Sequence, residues 1–362
     1  MRTLDRYIAL SMLGPLLFGL GAFTSLFLSG DLLNLARLAV ELGAPLGAVA
    51  RVLLLRLPQI LVWTLPMAVL LGTLLSLSRL SAASEIVAMR AAGVSFYRLS
   101  APPLAIGALM SILSFTLNEA VVPQANFVAQ RVMVEEIQGG QLPRVTRNVI
   151  LRRYQGDILE WFLYAREFDG RSETMTDVTM VRLRSARPIE TTYAERVVWG
   201  GSTWYMENGV SFLHGSTDQT VVVRYGEARQ PVPIGQRPEE IAQIAKNPDQ
   251  MTAGELRQHI AILAAQGQDV SALAVQWHQK FALPLASFVF ALIGAPLGIQ
   301  PHRSASSIGF GLSIIVIFVY YVIMSLGTAL GQGGYLPPVV AAWSQDVLLG
   351  GVGLFLIRRA AR

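Results

Sequence analysis

The residues able to do amine, imidazole or thiol chemistry are few. Lys246 and Lys280 are the only lysines, the histidines are His214, His259, His278 and His302, and cysteine is absent. Neither lysine stands in a glycine-rich loop, so the chain lacks the backbone cradle of a P-loop and does not hydrolyse ATP by that route. No two histidines have the i, i+4 spacing that sets two imidazoles on one helix face for zinc. No Gly-x-Ser-x-Gly elbow presents a serine nucleophile. Lack of cysteine excludes a disulfide scaffold, an iron–sulfur site and Cys-ligated zinc. The expectation is a chain with no catalytic residues, no metal and no cofactor, which is not itself an enzyme.

What remains is arginine and carboxylate, and their placement is informative. The chain has 362 residues, of which 52% are hydrophobic and only 15% charged, against roughly 25% in an ordinary soluble domain. Net charge is +5 and the pI is about 9.7. A basic balance raises nucleic acid as a partner, but the answer depends on where the charges lie. Residues 7–30, 57–78, 99–118 and 281–301 carry no charge, and 304–345 is uncharged throughout, broken by the turn-like Gly331–Pro338. A bilayer core of about 30 Å needs about 20 helical residues. Five spans follow, at 7–30, 57–78, 99–118, 281–301 and 306–330, with a sixth at 338–357 that carries Asp346. The first run is too long for the apolar part of a signal peptide and lacks a small-residue cleavage site.

Six spans put both termini on one side. That side holds nine arginines (Arg2, Arg6, Arg79, Arg90, Arg98, Arg303, Arg358, Arg359 and Arg362) against Asp5 and Glu85, a net +7. The loop between spans one and two nets +1, and the stretch 119–280 nets −2. Arginine excess marks the cytoplasmic face. The termini are therefore expected in the cytoplasm and the 119–280 region outside it. The charge reports insertion topology, and nucleic acid is dropped as a partner.

The external insertion begins with a short helix, 125–138, continuing from span three. Strand-like runs follow at 145–154, 158–168, 175–183, 189–199, 203–208, 210–213 and 219–225, separated by Asp169-Gly170, Gly200-Gly201 and Asn208-Gly209 turns. Such spacing predicts an antiparallel sandwich or jelly roll, and periodicity does not choose between them. Trp161, Leu163, Val178, Met180, Val197 and Phe212 are the expected inward apolar positions. After the prolines 231, 233 and 238, residues 239–246 read as helical. Thr252-Ala253-Gly254-Glu255 is a capping box opening a helix with Leu256, Ile260 and Leu263 on one face, closed by Gly267. The fold class is a polytopic membrane protein, six transmembrane α-helices with an inserted extracytoplasmic all-β, jelly-roll-like domain. Its expected divisions are 1–122, 123–270 and 271–362.

The loop between spans two and three carries one short helix, 84–93. Ser84 is placed to cap it, Glu85 suits its positive end and Gly93 its C-terminal turn. A helix this short is marginal alone and needs a surface to pack on. Asp346 lies about 12 Å inside span six at 1.5 Å per residue. A charge there is expensive, so Asp346 must meet a wet cavity or a partner, or be protonated, and a structural role is expected.

At this point the sequence resembles a known family, the YjgP/YjgQ-type permeases, which are the LptF and LptG inner-membrane subunits of the lipopolysaccharide export ABC transporter. The segment 84–93 (Ser-Glu-Ile-Val-Ala-Met-Arg-Ala-Ala-Gly) is similar to the family's coupling helix. Leu65–Gly72 is similar to its second span, Asn118–Gln124 to the exit of its third, and Trp277–Leu285 with Gly294–Gly298 to its fourth. Leu336-Pro337-Pro338 with Ala341-Ala342-Trp343 is similar to the start of its sixth. The motifs run in order over nearly the whole chain. One departure is Gln345-Asp346, where the family usually has Pro-Asn.

The resemblance implies a permease subunit that works with a second six-helix permease subunit and a cytoplasmic ABC ATPase dimer. It implies extraction of lipopolysaccharide from the outer leaflet and delivery to a periplasmic jelly-roll lipid-transfer protein. By position, Glu85, Met89 and Arg90 would contact the ATPase. An anionic lipid needs cations near the outer headgroups, and Arg37, Arg51, Arg56 and Lys280 sit at that level. Family subunits use basic residues near the outer end of span one, and Arg37 is the nearest match. The residues themselves leave open a permease for another lipid or lipoprotein, and a non-transporting membrane scaffold with a periplasmic binding domain.

Overall fold

A computed structural model describes residues 3–137, 145–155, 158–170, 172–184, 187–214, 220–226, 229–238, 241, 247–265, 268–299 and 306–361. The expected helix 239–246 apart from Ile241, the helix-closing Gly267, and Arg2, Arg303, Arg362, Lys246 and His302 lie outside these residues. The chain forms two units, one of residues 1–138 with 271–362 and one of residues 139–270.

The first unit is helical. Its elements are α1 (Thr3–Leu42), α2 (Leu46–Ala82), α3 (Glu85–Ala91), α4 (Phe96–Thr116) and α5 (Val122–Val132), followed after the second unit by α7 (Ser271–Gly298), α8 (Ser306–Gln332) and α9 (Pro338–Ala361). Six of its helical segments are long and apolar enough to cross a membrane, matching the six expected spans. The second and fourth spans, α2 and α7, are its core. Leu70 and Leu74 pack with Ala286, Phe290 and Ile293, while α1, α4 and α8 leave most of their apolar surface open. Such surface belongs against lipid or another apolar helix. Gly107 lets α4 and α7 approach closely: a Cβ there would lie 2.6 Å from that of Ala291.

Two helices outrun their apolar cores. The sequence places a loop over 31–56, but α1 continues to Leu42 and α2 starts at Leu46. Only Gly43–Pro45 turns, with Gly43 at φ +66°. The extensions persist because they have a core of their own. Leu35, Val49 and Val52 pack with Ala129, Val132 and Ile137 from the continuation of span three. That continuation passes through two π-helical turns, Leu117–Val121 and Met133–Ile137. At the first, Pro123 removes the N–H that would bond Glu119, and Asn118 Nδ2 donates across to the Lys280 carbonyl at 3.1 Å.

The second unit is an antiparallel sheet of β1 (Val145–Gln155), β2 (Ile158–Asp169), β3 (Thr174–Arg184), β4 (Arg187–Trp199), β5 (Trp204–His214), β6 (Thr220–Tyr225) and β7 (Gln230–Val232), with α6 (Ala253–Ala265) following. The order β1-β2-β3-β4-β5-β6 is sequential, and β7 pairs with β5. β6 and β7 lie along the same edge of β5, β6 beside Gly209–His214 and β7 beside Trp204–Met206.

A crease crosses this sheet. Arg166, Asp177, Glu195 and Asn208 form a row, one on each of β2–β5, between the register pairs Ala165–Val178–Ala194–Gly209 and Glu167–Thr176–Arg196–Glu207. All four are exposed, and on each strand the flanking buried residues are three apart instead of two. Asp177 and Asn208 take left-handed backbone, φ 50° and 53°. Arg166 pairs with Asp177 at 2.9 Å, and Asn208 Nδ2 donates to Glu195 at 3.3 Å. The pleat therefore flips, and both ends of the strands face one core, Trp161 and Leu163 from one side of the crease, Phe168 and Trp204 from the other.

Of the expected inward positions, Trp161, Leu163, Val178, Met180 and Val197 are buried. Phe212 corrects the expectation: Ser211 beside it is buried, and Phe212 instead meets the exposed Tyr193 edge-on at 6.0 Å. Alternation puts only one of two neighbours inside. The capping box at Thr252 is formed. Thr252 N donates to Glu255 at 2.9 Å and Glu255 N donates to Thr252 Oγ1 at 3.2 Å.

Candidate functional site

The first candidate is α3. Its N-terminus is not capped as expected, because Ser84 makes no side-chain cap hydrogen bond. Ser84 serves the preceding helix instead. It closes α2 with left-handed backbone, φ 60°, its N–H donating to the Ser81 carbonyl at 2.9 Å. Its own carbonyl still accepts from Ala88 at 3.0 Å and so starts α3. The C-terminus closes in a Schellman motif: Gly93 N donates to Arg90 O at 2.9 Å and Val94 N to Met89 O at 3.0 Å, with Gly93 at φ +85°. Met89 and Val94 then pack together with the buried Ile86 against Ile8, Leu77, Leu80 and Leu99. Seven residues hold a helix here because both ends and one face are fixed by the bundle.

The opposite face is open. Val87, at 60% exposure, Ala88, Arg90 and Ala91 point outward. Of the three expected contacts, Arg90 is on this face, Met89 is half-buried beneath it, and Glu85 lies at its edge. The Glu85 carboxylate accepts from the hydroxyl of Tyr7 at 2.8 Å, so α3 is tied to α1. A second tie, Arg98 to Asp5 at 3.4 Å, joins the same end of α1 to α4. Val87 and Tyr7 carry no signal in the sequence window. Val87 follows only from knowing that Ile86 is the buried side, and Tyr7 lies 78 residues from its partner.

The second candidate is the set of basic residues at the far end. The structure separates them. Arg56 faces Asp31 at 3.4 Å and Arg51 is paired with Glu136, while Lys280 lends its carbonyl to Asn118. Arg37 is exposed on the extension of α1 and makes no ion pair among the described residues. Unpaired guanidinium is the group that binds phosphate without first losing a carboxylate partner.

The third is Asp346, 4% exposed inside the helical unit. Tyr320 donates to its Oδ1 at 3.0 Å, and its Oδ2 has no partner among the described residues. Tyr321 beside it donates to the Trp63 carbonyl at 3.1 Å and stacks on the Trp63 ring. The partner required by burial is thus Tyr320, and the group joins α2, α8 and α9. In the sheet unit, Arg182, Glu190, Thr192, Ser211 and Tyr225 line a cavity of about 120 Å³, with Thr192 and Ser211 hydrogen-bonded at 2.6 Å.

Residues 6–359 match the family described as lipopolysaccharide export system permease LptF/LptG. The chain is similar to the lipopolysaccharide export system permease protein LptG of Escherichia coli (strain K12), 24% identical over 324 residues that cover 84% of each chain. It is also similar to the LptG protein of Haemophilus influenzae (strain ATCC 51907 / DSM 11121 / KW20 / Rd), 21% identical over 346 residues, 91% of this chain and 90% of the relative.

Proposed function

The chain belongs to the LptF/LptG family of lipopolysaccharide export permeases, and from that membership we propose how its two ends divide the work. It is a permease subunit of lipopolysaccharide export, an inner-membrane protein and not itself an enzyme. In our reading the termini and α3 lie in the cytoplasm, and the β unit, residues 139–270, lies in the periplasm. ATP is hydrolysed by a separate cytoplasmic ABC ATPase dimer, and a second six-helix subunit completes the path.

The observation that carries this reading is the form of α3. A seven-residue helix is fixed on one face and at both ends, and presents Val87, Ala88, Arg90 and Ala91 on the other. That is a rigid docking face, in which Arg90 and Glu85 supply charge at the rim and Val87 an apolar centre. Met89 acts from beneath by holding the helix down. Motion of the ATPase then reaches α1 through Tyr7–Glu85. At the other end Arg37 is the first cation for the lipid phosphates, and Arg51 and Arg56, held by carboxylates, set the shape of the helical extensions. The lipid passes from there to the β unit and on to a periplasmic jelly-roll partner.

The test is purification of the intact chain from mild detergent, with bound proteins and lipids identified together. An ABC ATPase and lipopolysaccharide are expected. Arg90→Glu and Val87→Asp are expected to remove the ATPase and leave the chain folded. Copurification of an ATPase with a different lipid would reassign the substrate. No ATPase in the intact chain's preparation would overturn the reading in favour of a scaffold.

A further inference from the structure

We propose that a groove between α1 and α4 binds one phospholipid with a zwitterionic, primary-amine headgroup, drawn from the leaflet on the side of the termini. This goes beyond the export reading, because it assigns a ligand other than the exported lipid. The groove encloses about 880 Å³, within the roughly 300–1,000 Å³ of small-molecule sites. Asp5 and Arg98 stand in its lining, with Ala9 on α1 and Ala101, Ala105 and Leu109 on α4. The last three recur every four residues, so they line one helix face. All three are exposed, Leu109 at 59%.

Length decides between a lipid and a partner helix. Arg98 to Leu109 is eleven residues, or about 16 Å at 1.5 Å each. That is about half of a hydrocarbon core of about 30 Å, the depth of one leaflet. A partner helix crossing the whole membrane would find an apolar groove along only half its length. An acyl chain whose headgroup sits at the charged end fits the full length.

Charge decides the headgroup. Arg98 Nη2 lies 3.5 and 3.4 Å from the two Asp5 oxygens, longer than the about 2.7–2.9 Å of a close charge-assisted bond. The two side chains keep 32% and 26% of their surface open. A loose, half-open pair offers a guanidinium to a phosphate and a carboxylate to an ammonium. A headgroup carrying both satisfies both. A net anionic headgroup would set its phosphate beside Asp5 with at most a neutral hydroxyl to offer the carboxylate, a weaker partner than an ammonium, and a quaternary ammonium has no N–H to donate.

The test uses the full chain with its copurifying partners in phosphatidylcholine nanodiscs, doped with a phosphatidylethanolamine probe bearing a photoreactive acyl chain. Crosslinks are expected on residues 3–13 and 98–109, enriched at least about fivefold over the lipid-facing surfaces of α8 and α9. Ala105→Trp, which fills the groove, is expected to lower that labelling about fivefold, and Val347→Trp on the exposed face of α9 to leave it unchanged. Asp5→Asn leaves the apolar wall intact and is expected to shift preference from this probe to its phosphatidylglycerol counterpart. Uniform labelling of all lipid-facing helices would overturn the site. Labelling present in the isolated chain but blocked in the complex would assign the groove to a partner helix. Preference of the unaltered chain for phosphatidylglycerol would overturn the headgroup assignment.

Discussion

The hydroxyl of Tyr7, in the second turn of the first helix, donates to the carboxylate of Glu85, the first residue of the short helix α3, at 2.8 Å. This contact and the Asp5–Arg98 pair are the polar links between the start of α1 and the segment 84–98 among the described residues. An exposed hydrogen bond contributes modestly to stability, so its role is positional. Tyr7→Phe is expected to leave the chain folded and ATPase-bound, and to lower lipid exported per ATP hydrolysed by a few-fold. Reconstituted transport and ATP hydrolysis measured on the same proteoliposomes check this. An unchanged ratio would remove Tyr7 from the coupling route.

Arg37 and Arg56 at the far end should respond differently. Arg37 is unpaired among the described residues, so Arg37→Glu is expected to weaken lipopolysaccharide stimulation of ATP hydrolysis by about tenfold in half-maximal concentration, the effect of about 1.4 kcal/mol. Arg56→Gln leaves Asp31 without its cation and is expected to act mainly on stability, by about 0–1 kcal/mol for an exposed pair. A titration of ATPase rate against added lipid separates the two.

Asp346 and Tyr320 form one buried unit, and removal of either partner should differ from removal of both. Tyr320→Phe strips the acid of its hydrogen-bond donor and is expected to cost about 1–3 kcal/mol. Asp346→Asn keeps an acceptor for Tyr320 and should cost less, with export retained. Tyr320→Phe with Asp346→Leu should recover part of the loss, because no polar group is then left unpaired. Unfolding midpoints in detergent across this cycle measure the coupling.

His259 is buried on α6, its Nδ1 without a partner among the described residues, and burial lowers its pKa from the usual value near 6.5. The unfolded chain then binds more protons than the folded one below about pH 6.5, so stability falls as pH drops through that point toward the lower folded value. His259→Phe should flatten the pH dependence of melting between pH 7.5 and 5.5. An equally steep loss in the variant would place the acid sensitivity elsewhere.

The crease in the sheet depends on left-handed backbone at Asp177 and Asn208. Asn208→Gly is expected to be nearly neutral, while Asn208→Val should destabilise by about 1–2 kcal/mol through its β-branched side chain. Thermal melting followed by the fluorescence of Trp204, fully buried in that core, checks both.

Much of this was legible in the linear chain because it rests on local periodicity. Twenty uncharged residues in a row specify a span wherever they occur. Thr252 and Glu255 cap a helix from three residues apart, and Gly93 closes α3 within one turn. The family resemblance rests on motifs of this kind. Tertiary structure decided what depends on contacts between distant residues. Whether an arginine is free depends on carboxylates 25 or 85 positions away, as Arg56 with Asp31 and Arg51 with Glu136 show. Ser84 reads as a cap, but the turn between two helices required left-handed backbone and gave it to the end of α2. Phe212 reads as core, but a crease crossing four strands set which of two neighbours faces inward. Local sequence determines which element forms; only packing between elements determines which face, and which charge, is left for a partner.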